Sequence, residues 1–145
     1  MSRELDEVIR RQWRELGFYY EFDAQASEWR LVGSKSGLAR FADLLTSYAT
    51  DSRNEPLSEH KHYGPYFYLE LTTSEAREIN EHAICGRLTD FADLAGIVRD
   101  RLASSVAGTD FVIGGEYAPG AKTPLRFQVR DDNFDPASAD PLLNG

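Results

Sequence analysis

Apolar residues recur at helical spacing at the start of the chain and alternate with polar ones just after, which predicts a helix followed by strands. Leu5, Val8, Ile9 and Trp13 share one side of a helix over residues 2–15. Ser2 is placed to cap it, and Glu4, Asp6 and Glu7 suit the positive end of its dipole. Gly17 ends it. Phe18–Asp23 alternates as a strand, residues 24–27 form a polar turn, and Glu28–Gly33 is a second strand, so the two predict a hairpin.

From there the pattern repeats. Gly33 is followed by Ser36, Leu38, Phe41, Leu44 and Leu45, and Gly86 by Thr89, Phe91, Leu94, Ile97 and Val98, at offsets of three, five, eight, eleven and twelve in both copies. The glycine lets the chain turn out of a strand, the hydroxyl residue caps the helix start, and the apolar set makes one stripe that can lie on a sheet. A strand follows each helix, at Tyr66–Leu71 and Asp110–Tyr117, and a last one runs over Leu125–Arg130. The expected order is α, β, β, α, β, β, α, β, β. Its middle predicts an α+β protein with a ferredoxin-like βαββαβ core, an antiparallel sheet of about six strands and helices on one face. At 145 residues this is one domain. It divides into the helix at 2–15, a sandwich at 16–130 and an acidic coil tail at 131–145, pinned by Phe134, Leu142 and Leu143.

Composition narrows the class. An apolar share of 41% with 12% aromatics fits a globular chain without a membrane span. The N-terminus mixes charge with apolar residues, unlike a signal peptide, and the one cysteine, Cys85, excludes an internal disulfide; both predict a cytoplasmic protein. A net charge of −8 opposes binding to phosphate backbones and suits a basic protein partner.

Candidate chemistry centres on the segment SEHKHYGPYFYLELTT. As a strand, Phe67, Leu69 and Leu71 point toward the helices, while Tyr66, Tyr68 and Glu70 face the open side. The first strand adds Tyr19 and Glu21 to that side, and the last adds Arg126, Gln128 and Arg130. This makes an aromatic patch ringed by charge, the composition of a protein interface. His60 and His62 lie in the loop before the strand and, with Tyr63, form a candidate polar or ligand site. His82 is the remaining histidine that a metal site would need. No paired cysteines, His-Glu-x-x-His, G-x-S-x-G or Walker spacing is present, so no catalytic residue, metal or cofactor is assigned.

The strings ELGFYYEFD, EWRLVGSKSGLARFADLL, SEHKHYGPYFYLELTT, HAICGRL and FDPASADPLL together resemble a family of small bacterial proteins similar to predicted immunity proteins of polymorphic toxin systems. The resemblance spans nearly all of the chain after residue 15. It implies a cytoplasmic α+β protein that binds and neutralises a toxin domain, and it supplies no catalytic residues. The leading expectation is a non-catalytic domain that binds a basic toxin through its open sheet face. A small-molecule regulatory domain, dimerising edge to edge with its sites at the Gly33 and Gly86 turns, is the alternative. A metal-dependent site at His60, His62 and His82 is the third.

Overall fold

A computed structural model describes residues 2–144 and shows an α+β fold. Helix α1 spans Arg3–Leu16. Ser2 Oγ accepts the Leu5 amide at its start, and Gly17, at φ 95°, closes its end by donating to the Trp13 carbonyl. Strands β1 (Tyr19–Asp23) and β2 (Glu28–Ser34) form the expected hairpin, with Tyr20 opposite Leu31. Helix α2 covers Lys35–Ala49 and helix α3 covers Leu88–Ala103. The shared stripe behaves alike in both helices. Leu38, Phe41 and Leu45 in α2, and Phe91, Leu94 and Val98 in α3, are all at most 1% exposed, while Leu44 and Ile97 lie at the margin.

The helix starts differ from the expectation. Ser34, not Ser36, caps α2 by accepting the Gly37 amide at 3.0 Å. At α3 the cap is Arg87, whose amide donates to Asp90 Oδ2 at 2.8 Å, rather than Thr89. Gly33 and Gly86 also have a different role, since neither has a positive φ. A Cβ on Gly86 would collide with the Tyr117 hydroxyl, and one on Gly33 would press on Phe18 and Leu38 at 3.3 and 3.4 Å. They are close-approach glycines rather than turn glycines.

The sheet is the main correction. Among the described residues, eight strands form two mixed sheets of four, in place of one antiparallel ferredoxin-like sheet of about six. The additional strands are β3 (His60–Tyr63), β4 (Leu69–Thr73), β5 (Glu78–Ile79), β6 (Ile84–Gly86), β7 (Asp110–Ile113) and β8 (Leu125–Arg130). One sheet runs β1-β2-β8-β7 and the other β3-β4-β6-β5, each with a parallel central pair flanked by antiparallel ones. β3 and β5 are new elements, and the histidine segment is therefore strand rather than loop. Conversely, the strand expected from Tyr66 begins only at Leu69, because Tyr66 and Phe67 sit in a tight turn.

Leu125, Phe127 and Val129 are buried on β8, as their alternation predicts, beside Trp29 and Leu31 of β2. α2 and α3 pack together above this core, with Phe41 5.8 Å from Phe127 and Tyr48 5.0 Å from Phe91. The tail is not coil. Asp135 caps a 3-10 turn at Pro136–Ala139, and Pro141–Asn144 forms the short helix α4. Phe134 and Leu143 pack on the core as expected, whereas Leu142 is exposed. No helix among the described residues is long and apolar enough to cross a membrane.

Candidate functional site

A cleft of about 530 Å³ opens where edge strand β1 faces the β3–β4 connection. Elements far apart in sequence build it. α1 supplies Trp13, β1 supplies Tyr19 to Phe22, and β2 supplies Trp29. The β3–β4 segment supplies His62, Tyr66, Phe67, Tyr68 and Glu70; the turn before β6 supplies Glu81 and His82; the tail supplies Asp140 to Leu142. Both tryptophans of the chain are here.

Trp13 organises the wall. Its ring lies 4.8 Å from Tyr19, 5.1 Å from Tyr20 and 6.3 Å from Tyr66. The α1 helix thus covers the edge of the sheet on which Tyr19 was expected to be open, leaving Tyr19 only 4% exposed. Trp13 Nε1–H donates to Asp140 Oδ2 at 2.8 Å, and the Tyr66 hydroxyl donates to the same oxygen at 2.7 Å. The Leu142 amide donates to Oδ1 at 2.9 Å. A carboxylate that is 2% exposed is therefore held by three neutral donors. Burial, and then the bond to Asp140, push the Tyr66 phenol well above the usual range, with the Asp6 charge adding to the effect. Asp6 Oδ1 is itself buried without a hydrogen-bond partner among the described residues. Tyr19 and Tyr20 are pushed up to about 12, in each case chiefly by burial.

Backbone geometry at the cleft's rim is unusual. Gly64, at φ 75°, lies against the Tyr20 ring, where any Cβ would clash. Tyr66 (φ 67°) and Phe67 (φ 58°) follow in the left-handed region, a conformation that costs an L-residue on the order of 1–2 kcal/mol. The Tyr20 hydroxyl holds this turn by accepting the Tyr68 amide at 3.2 Å and donating to the Pro65 carbonyl. The outcome is that Phe67 and Tyr68 project outward, 66% and 68% exposed. Phe67 was expected inside. The turn, rather than strand alternation, sets its direction.

The charge in the cleft is acidic. Glu21 is bound by its cross-strand partner Arg30, which also stands against the Tyr19 ring. Glu70 Oε1 lies 3.5 Å from His62 Nε2 and Glu81 Oε1 lies 3.3 Å from His82 Nε2, contacts that are ion pairs only when the imidazole is protonated. No lysine or arginine lines the cleft among the described residues.

Of the residues chosen from sequence, Tyr19, Glu21, Tyr66, Tyr68, Glu70 and His62 meet in this cleft. Arg126 and Arg130 do not. They sit on β8, where Arg126 Nε donates to Glu28 Oε2 at 2.6 Å, so the expected single patch divides in two. His60 and His62 share a side of β3 with ring centroids 5.3 Å apart, and His60 stays outside the cleft. Tyr63 lies under Lys61, whose Nζ is 5.6 Å from the ring centroid, and offers its carbonyl to Tyr20. His82 lines the cleft opposite, yet no group of three or more His, Cys, Asp or Glu among the described residues is placed to hold a metal ion. Cys85 lies elsewhere, and burial pushes its thiol up to about 11, so it is protonated at neutral pH.

Trp13, Trp29 and Asp140 are the residues that sequence reasoning missed. The signal for Asp140 was present, because Asp135-Pro136 and Asp140-Pro141 each pair a capping residue with proline at the first helical position. No family model, curated protein or solved structure matches this chain, so the site is read from its own geometry.

Proposed function

We propose that this chain is a non-catalytic protein-binding domain that grips its partner at the aromatic cleft. The reading is carried by one observation. Two consecutive non-glycine residues, Tyr66 and Phe67, stand in left-handed backbone and present Phe67 and Tyr68 to solvent beside a cleft walled by aromatic rings. Strain of this kind collects at functional sites, and large exposed aromatics beside a pocket are the anchors of interfaces. A cytoplasmic immunity role, neutralising a basic toxin domain, extends this reading. It draws on the net charge of −8, which steers basic partners at low salt.

The test is affinity capture from the source organism at modest salt, comparing wild type with the Phe67→Ala/Tyr68→Ala pair. One stoichiometric partner should be retained by the wild type and lost from a variant whose melting temperature is unchanged. Undiminished capture by the variant rules the cleft out as the interface.

A second reading has its own support, since a volume of about 530 Å³ also fits a small molecule. Its site would be this cleft, or the smaller hollows of about 390 and 380 Å³ beside Gly33 and Gly86, lined by Ser34, Ser36 and Gly37 and by Arg87, Leu88 and Thr89. A metabolite that raises the melting temperature by several degrees would favour it.

A further inference from the structure

We infer that the cleft takes a cationic group, and specifically an arginine side chain presented by the partner; this rests on the protein-binding reading above. The aromatic walls alone would accept any apolar anchor. What selects a cation is the balance of charge.

Asp140 is a buried carboxylate whose three bonds come from an indole, a phenol and an amide, none of which carries positive charge. Buried charges are ordinarily paired, and this one is not. The Asp6 carboxylate lies close enough to act on Tyr66 and has one buried oxygen without a partner among the described residues. Across the cleft, Glu70 meets His62 and the Thr72 hydroxyl, and Glu81 meets His82, so neither carboxylate is paired with a lysine or arginine among the described residues. The negative potential of these groups is focused into a low-dielectric hollow with no lysine or arginine among its described lining residues.

Ring faces complete the site. Tyrosine and tryptophan attract a cation through the negative face of the π system, and arginine adds planar stacking that an ammonium lacks. The same chemistry is already used within the chain, where Arg77 Cζ stands 5.3 Å from the Tyr117 ring centroid and Arg30 Cζ stands 5.7 Å from that of Tyr19. At the mouth, Tyr68 remains exposed beside Tyr66, with ring centroids 5.8 Å apart, so an incoming guanidinium has a free face to stack on.

The experiment uses the full chain and two small probes, acetyl-argininamide and its neutral isostere acetyl-citrullinamide. Trp13 and Trp29 supply the only indole N–H signals, and both line the cleft, so a nitrogen–proton correlation spectrum reports on it directly. Argininamide should shift both signals saturably and bind at least about tenfold more tightly than citrullinamide, the size expected of a partly desolvated cation–π contact. High salt should weaken it. The Glu70→Gln/Glu81→Gln pair, both partly exposed in wild type, should narrow the gap between the two probes severalfold with the spectrum otherwise unchanged, Asp140 being left in place. Equal binding of the two probes by the wild type, or no shift with either, overturns the inference. Neither result touches the protein-binding reading, which the Phe67→Ala/Tyr68→Ala capture decides separately.

Discussion

A left-handed backbone costs an aromatic residue on the order of 1–2 kcal/mol relative to glycine, and Phe67 recovers little of this by packing, since 66% of it is exposed. Tyr66 is different, because its hydroxyl is bonded to Asp140 and its ring faces Trp13. The two positions therefore separate strain from packing. Phe67→Gly should stabilise the fold by about 0.5–1 kcal/mol in urea unfolding, the relief of strain being partly offset by the greater freedom of glycine in the unfolded chain. The same change should weaken partner capture, the exchange of stability for activity expected where a strained residue is kept for binding. Destabilisation instead would make Phe67 a packing residue and remove the main support for the cleft as an interface.

The elements that sequence foretold are those whose signal is local and periodic. The stripes of α2 and α3, the capped and glycine-ended α1 and the alternation on β8 each need only their own residues to be recognised. β3 escaped because His60, Lys61 and His62 are all exposed on an edge strand, so no alternation marks them. β5 is two residues long, too short to carry a period. The turn at Tyr66 was hidden because aromatic residues argue for a strand and against positive φ, and both arguments fail there. The seal of α1 on β1 escaped too, because it depends on a tail carboxylate 127 residues from Trp13. That seal makes an alkaline prediction. Tyr19 and Tyr20 are pushed up to about 12, chiefly by burial, so the fold favours their protonated forms. Stability from them is fully present below pH ~10, the ordinary phenol value, and is lost as pH rises toward 12. The loss should reach on the order of 2–3 kcal/mol per tyrosine. Thermal melts of a Tyr68→Phe variant, which lacks the exposed phenol, should fall steeply across this window, with phenolate absorbance appearing together with unfolding. Independent phenolate formation in a protein that stays folded would show that α1 does not seal these rings.

At the scale of the whole molecule the repeat acquires a meaning that neither copy has alone. Each half of the chain carries two hairpins around one helix, and the halves exchange them. The hairpin β1–β2 is completed by β7–β8 of the second half, and β5–β6 is completed by β3–β4 of the first. The joins are the two parallel pairs, with Gly33 opposite Val129 and Gly86 opposite Thr73, so the repeated glycines occupy corresponding places in both sheets. A single half would hold two separate hairpins, and a two-stranded ribbon is marginal in water. Cutting between Glu75 and Ala76, which are exposed and lie between β4 and β5, therefore gives fragments that should not melt cooperatively on their own. Mixed together, they should associate one to one and recover cooperative unfolding. The cleft makes the test sharper, because Trp13, Trp29 and Tyr66 come from the first fragment while Glu81, His82 and Asp140 come from the second. The response of the indole signals to argininamide should return only in the mixture. A first fragment that folded and responded alone would mean that the exchange of hairpins is not what holds the site together.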